Sequence, residues 1–221
     1  MNLVERQGKL LGMRLYLITG DRGGERETLQ TVEAALEGGI DVVQLRKKTM
    51  AKGEQYTIAL ALRRLTALRD RLLIINDHPD IAIAADADGV HLGQDDLPPD
   101  VVRALPGFEG RLIGRSTHSV EQVRAAMREG VDYFAVGPVH ATPTKEGRKP
   151  VGTELVSKVA AMADRPFVAV GGIDRQNAAA VVAAGAPALA MVRAIYDDED
   201  PAEAARRLRE LAIAREESLR P

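Results

Sequence analysis

Apolar positions along the chain follow two alternating rhythms. Short continuous apolar runs, too brief for helices, alternate with stretches whose apolar residues recur every three or four positions. The runs predict strands over 14–19, 41–46, 72–75, 89–92, 111–115, 133–136, 167–170 and 188–192. The periodic stretches predict helices over 27–37, 52–70, 79–85, 98–105, 119–129, 152–163, 177–184 and 201–215. In the first, Leu29, Val32, Ala35 and Leu36 share one face. Pro98 and Pro99 open a helix, and Ser119 with Gln122 has the form of a capping box. Gly39-Ile40-Asp41, Gly130-Val131-Asp132 and Gly185-Ala186-Pro187 form a weak internal repeat, each ending a helix and entering an apolar run. Eight buried-type strands, each followed by a helix, predict an α/β fold, a single-domain (β/α)8 TIM barrel over 1–221. Residues 1–12 stand outside it as an N-terminal extension and 13–215 form the barrel. A doubly wound sheet is the main alternative, because it has the same alternation.

Composition narrows the function classes. The net charge is −2 and aromatic residues make up 3%, which gives neither a basic field nor stacking surfaces for nucleic acid. There is no cysteine, so disulfides, thiolate metal sites and cysteine nucleophiles are excluded. No apolar run is long enough to span a bilayer, and the first residues lack a signal-peptide core, so a cytoplasmic location is expected. Small molecules are the expected partners; the oligomeric state stays open.

The candidate chemistry lies at the ends of the strands, where barrel enzymes carry it. After the sixth run comes His140-Ala141-Thr142-Pro143-Thr144-Lys145-Glu146-Gly147-Arg148-Lys149, a loop rich in hydroxyls and cations that suits a phosphorylated anion. By itself it is equally a solvated surface loop. Gln44, Arg46 and Lys48 alternate, so they share one face of an extended segment. Asp77 and Asp96 follow adjacent strands; each is also a natural helix cap, yet together they are hard oxygen ligands suited to Mg²⁺. Ser116 and His118 end the fifth strand, and the histidine there is a proton carrier or a structural residue. Gly171-Gly172 and Val192-Arg193 end the last two, where barrels commonly bind phosphate.

The segments 15–19, 44–48, 75–77, 88–96, 114–118, 137–139, 142–145 and 171–173 resemble, in order, the thiamine phosphate synthase family. The resemblance implies a transferase that joins a hydroxymethylpyrimidine diphosphate to a thiazole phosphate, giving thiamine phosphate and diphosphate. It implies that Gln44, Arg46, Lys48, Asn76, Ser116 and Lys145 hold the pyrimidine diphosphate, with Arg46, Lys48, Ser116 and Lys145 serving catalysis. Asp77 and Asp96 would bind Mg²⁺ as cofactor, and Thr142, Pro143, Thr144, Gly172, Val192 and Arg193 would hold the thiazole phosphate. Three positions depart from the family pattern: Gly20, where Asp is frequent; His140-Ala141, where an apolar pair is commoner; and Arg193, where Ser is usual. Two rival readings are a thiazole tautomerase-like isomerase on the same fold and a non-catalytic phosphate-ligand sensor. The carboxylate pair and the Thr-Pro-Thr-Lys loop favour the synthase.

Overall fold

Each apolar run forms a parallel strand in the computed structural model, which describes residues 1–142 and 149–218. The strands are β1 (Leu15–Ile18), β2 (Val42–Leu45), β3 (Leu72–Asn76), β4 (Gly89–Leu92), β5 (Leu112–Thr117), β6 (Tyr133–Val136), β7 (Phe167–Val170) and β8 (Leu189–Met191). Each pairs with the next, and β8 returns to β1, so the barrel is closed and a doubly wound sheet is ruled out. The helices are α1 (Leu3–Gly12), α2 (Glu25–Glu37), α3 (Lys52–Leu68), α4 (Pro79–Ala84), α5 (Pro99–Arg103), α6 (Val120–Arg128), α7 (Gly152–Ala160), α8 (Ala178–Ala183), α9 (Arg193–Tyr196) and α10 (Pro201–Ser218).

Strand alternation divides the core into two layers. Leu15, Leu17, Val43, Leu45, Leu73 and Ile75 pack outward under the helices. Tyr16, Val42, Leu72, Ile74, Leu112 and Tyr133 fill the barrel itself. The interior is therefore a packed core and not a pore.

The sequence reading assigns no element to residues 1–12, and the structure makes Leu3–Gly12 a helix. Asn2 caps it in a capping box with Glu5, a signal that was present in the sequence. Leu10, with Met13 just beyond the helix, packs into the interior cluster beside Leu72 and Leu112, so α1 and the turn after it plug the N-terminal end of the barrel. Three carboxylates secure that end. Asp88 accepts from Leu73 N (2.9 Å), Arg6 (2.9 Å) and Arg63 (3.2 Å). Asp41 accepts from the backbone of Arg14 and Leu15 and from Arg71 and Arg209. Asp132 accepts from Ile113 N, Arg103 and Gln7.

Candidate active site

A cavity of about 320 Å³ opens among the C-terminal ends of the strands. It gathers Gln44, Arg46, Asn76 and Ser116 from β2, β3, β5 and the turn after β2. Thr142, Gly172, Val192 and Arg193 line the opposite side. Ala135, Val168, Val170 and Ala190 give that cavity apolar walls. Lys48, Asp77 and Asp96 do not line the cavity; they form a charged group beside Asn76, which does, and are called the rim below. Pro143, Thr144 and Lys145 lie outside the described residues.

Local chemistry explains how the β2 end presents its cations. Thr19 ties into this segment from β1: its Oγ1 accepts from Arg46 N (2.8 Å) and donates to Arg46 O (3.0 Å). Asp21 accepts from the Arg46 guanidinium (3.0 Å) and from Lys48 N (2.7 Å), so the segment is held at side chain and backbone. Lys47 points the other way. Its buried ammonium donates to Arg22 O (2.5 Å), Gly23 O (3.1 Å) and Tyr196 Oη (3.1 Å), and burial holds its pKa below the ordinary lysine value. Gly20, the first departure from the family pattern, lies against the Tyr196 ring: a Cβ there would sit 2.9 Å from Cδ1.

At the rim, Asp77 has a left-handed backbone (φ 61°), and its side chain shares a hydrogen bond with Asp96. Burial, then that hydrogen bond and the charge of Asp96, push the Asp77 carboxyl up to about 6, while Lys48 and Asn76 pull it down. Asp96 also accepts from Gly93 N (2.6 Å), closing its loop. The Asp77 carboxylate does not cap α4, whose N-cap, His78, makes no side-chain cap bond. Two hard carboxylates facing one another fit a divalent cation that keeps waters and shares a phosphate oxygen. No cluster of three or more acidic or histidine side chains joins them among the described residues.

Beneath the charged rim runs a chain of neutral polar groups. Gln44 Nε2 donates to Tyr16 Oη (2.7 Å), which lies 2.8 Å from Tyr133 Oη. Tyr133 Oη lies 3.1 Å from His91 Nδ1, and His91 Nε2 lies 3.0 Å from Ser116 Oγ. Burial raises the pKa of both phenols, so they stay protonated. Tyr16, Tyr133 and His91 were absent from the sequence-derived site, because a tyrosine or histidine in an apolar run reads as core.

Other expectations are adjusted. His118 Nδ1 contacts the carbonyl of Gly137, and its backbone N–H donates to Gln122 Oε1 (2.7 Å) at the start of α6. Ser119 does accept from Gln122 N (3.3 Å), but Gln122 turns its side chain to His118, so half of the expected capping box forms. The β6 loop stem is fixed by backbone bonds, Val139 N to Val170 O (2.9 Å) and His140 N to Gly171 O (3.0 Å). Gly172 (φ 62°) lets this approach occur; a Cβ there would lie 2.6 Å from Ala141 O. Arg193 starts the short α9, which the sequence reading did not anticipate, and its exposed side chain stands at the cavity wall. Asp197, at the C-terminal end of α9, pairs with Arg22 (2.6 Å).

Comparison with known proteins places the chain. A family model described as thiamine monophosphate synthase matches residues 15–195. A thiamine-phosphate synthase of Gloeobacter violaceus is 49% identical over 87% of this chain, which spans 55% of that relative. One of Thermobifida fusca is 45% identical over 93% of this chain and 95% of its own length. The chain thus spans about half the length of the Gloeobacter relative and nearly all of the Thermobifida one. Among solved structures, a thiamine phosphate pyrophosphorylase from Pyrococcus furiosus superposes with a TM-score of 0.84 at 34% identity, covering 97% of this chain and 99% of the other. A 3-hexulose-6-phosphate synthase, at 21% identity and a TM-score of 0.71, shares the fold. The protein is a member of the thiamine monophosphate synthase family.

Proposed function

We propose that this chain condenses 4-amino-2-methyl-5-hydroxymethylpyrimidine diphosphate with 4-methyl-5-(2-phosphooxyethyl)thiazole, releasing diphosphate and thiamine phosphate. The observation that carries the reading is a juxtaposition. An apolar-walled cavity with a polar floor is lined by Asn76, and the next residue, Asp77, interacts with the carboxylate of Asp96 and the charge of Lys48. The floor suits a polar heteroaromatic ring, and the rim suits its diphosphate. A tautomerase would have no use for the carboxylate pair.

In this reading Gln44 and Ser116 orient the pyrimidine, and Asn76 lines the cavity at the end of β3. Arg46, prepositioned by Asp21, faces the departing diphosphate, and Lys48 and Lys145 add positive charge. Asp77 and Asp96 would hold Mg²⁺, which when bound supplies neutralisation of charge on the leaving group. Thr142, Pro143, Thr144, Gly172, Val192 and Arg193 would hold the thiazole phosphate. The thiazole nitrogen carries no proton, so attack needs no general base. Positioning and electrostatic stabilisation carry the rate, with the C–O bond to diphosphate breaking ahead of C–N bond formation.

Incubation of the purified chain with both substrates tests this. Thiamine phosphate and diphosphate should appear in equal amounts, and chelation of divalent cations should stop the reaction. Absence of product at saturating substrates and Mg²⁺ would overturn the reading.

A further inference from the structure

We propose that Lys47 is a positioning residue: its buried ammonium, bonded to Tyr196 and to the β1–α2 loop, fixes α9 against the end of β2 and so sets the spacing between the two anion-binding sides of the cavity. The inference rests on the two-substrate reading above and deepens it by naming what holds the two sides at a fixed distance.

Lys47 follows Arg46, which lines the cavity, yet Lys47 is buried and its own contacts lie elsewhere. An ammonium has three protons to give. Three neutral oxygens receive them here: Arg22 O (2.5 Å), Gly23 O (3.1 Å) and Tyr196 Oη (3.1 Å). Burying an ammonium among uncharged acceptors is costly. A methionine would fill the same volume without that cost, so what lysine adds is the directed bonds.

Those bonds join the two sides. Tyr196 closes α9, the single helical turn whose first residues, Arg193 and Ala194, line the cavity. The Tyr196 hydroxyl also lies 2.9 Å from Thr28 Oγ1 on α2. Arg22 and Gly23 belong to the loop between β1 and α2. In that loop Asp21 holds the Arg46 guanidinium and Lys48 N. The next residue, Arg22, donates from Nε to Asp197 (2.6 Å) and from Nη2 to Tyr196 O (2.8 Å), at the end of α9. One loop therefore grips the β2 end with one residue and α9 with the next, and Lys47 pins the backbone of that loop. From Arg46 to Arg193 the path is one peptide link, one hydrogen bond and one helical turn.

Gly20 makes room for this arrangement. The Tyr196 ring is buried, and a Cβ on residue 20 would lie 2.9 Å from its Cδ1. The departure from the family pattern at Gly20 thus goes with the ring that carries the Lys47 acceptor. Lys47 and Tyr196 do not line the cavity, so loss of the bond between them should spare the contacts each ligand makes for itself. In a reaction between two bound molecules their relative placement governs turnover, and a misplacement of about 1 Å can cost roughly 10²-fold.

Two measurements on the full chain test the inference. The first needs no substrate. Methyl ¹³C–¹H spectra of alanine-labelled protein compare Ala194 on α9 with Ala135 and Ala190, which line the cavity from β6 and β8. In Lys47→Met and in Tyr196→Phe the Ala194 methyl resonance should move and the two strand methyls should stay. An Ala194 methyl unmoved in both variants overturns the brace, as does equal movement of all three. The second measurement sets calorimetry with each substrate alone beside steady-state kinetics with both. In Lys47→Met, kcat should fall by roughly tenfold or more, while the Kd of each substrate alone barely changes. Tyr196→Phe should act in the same direction, and the double variant should lose less than the product of the two single effects. A kcat per folded molecule equal to wild type in both variants, whatever their Tm, makes Lys47 purely structural and overturns the inference. A Kd for one substrate that worsens as far as kcat overturns it too, by placing Lys47 in that ligand's own site. If the wild type makes no thiamine phosphate, the proposed function fails, and the methyl comparison still decides the brace.

Discussion

The two ends of the barrel use the same side chain in opposite ways. At the N-terminal end Asp41, Asp88 and Asp132 each precede or enter a strand, and each is saturated by backbone N–H groups and guanidinium or amide donors. At the C-terminal end Asp77 and Asp96 turn toward each other. The first arrangement compensates every buried charge and leaves nothing to bind. The second leaves like charges together, with Lys48 as the nearby cation, and is completed only by a proton or an added cation. Carboxylates alone therefore say little about function; the balance of their partners separates the compensated end from the uncompensated one.

The largest expected effect comes from breaking the compensated end. Asp88→Asn leaves Arg6, itself 6% exposed, facing a neutral amide and weakens the link to Arg63. Loss of one partner from a buried ion pair costs about 3–5 kcal/mol. For a chain of this size that lowers Tm by roughly 10 °C. The kinetic constants of the folded fraction should not change, because the cavity is at the other end. Thermal melting beside steady-state kinetics checks both halves; a changed KM with an unchanged Tm would reverse the assignment of the two ends.

Asp96→Asn makes the opposite disturbance. The asparagine oxygen can still accept from Gly93 N, so the loop is preserved. Turnover should fall by roughly 10²–10³, the scale of losing a preorganised electrostatic contact, with Tm nearly constant. A titration of activity against Mg²⁺ is the readout. Full activity would remove Asp96 from the ion site.

A smaller effect is expected at Arg193, which stands at the cavity wall without an ion pair among the described residues. Arg193→Ser should weaken thiazole phosphate binding by about 1.5 kcal/mol, the low end for a charged hydrogen bond because the side chain is exposed. Pyrimidine diphosphate binding should be unaltered. Calorimetric titration of each ligand separates the two; tighter thiazole phosphate binding would make arginine an obstruction there.

How much of this was legible in the sequence differs between rim, floor and plug. The rim was legible because charged residues at the ends of apolar runs stand out, and alternation puts Gln44 and Arg46 on one face. The barrel was legible because eight runs alternate with helical stretches. The floor was not, because its polar character depends on which strands become neighbours. Tyr16 meets Tyr133 from the opposite part of the chain, and only barrel closure makes them partners. The Gly-Ile-Asp and Gly-Val-Asp repeats were read as helix stops, correctly as far as Gly39 and Gly130 go. The roles of Asp41 and Asp132 needed the arginines that distant helices bring to them. Helix α1 was readable from Asn2 and Glu5, but its docking was not, since Leu10 finds its pocket only once the strands have closed.

The finest test of the contrast is the stability of the metal-free protein with Asp77→Asn. Asparagine suits the left-handed backbone at this position (φ 61°), whereas alanine would mix strain with loss of charge. The carboxyl of Asp77 is raised from its ordinary 3.8 to about 6 in the folded chain. A carboxyl whose folded pKa is raised holds its proton more tightly in the native state than in the unfolded one. Its contribution to stability is therefore complete below the unfolded value and is lost as pH rises through about 6. Above that the unprotonated pair costs stability, and Asp77→Asn relieves it. The gain is about 1 kcal/mol, discounted because the group is part-exposed and screened. Melting curves in chelator should show the variant more stable than the wild type at neutral pH, with the gap closing in acid. Saturating Mg²⁺ should close it too, by stabilising only the wild type. Equal Tm values for the two proteins in chelator across this range would mean that the rim carries no stored repulsion, and that its carboxylates are as well compensated as those at the plugged end.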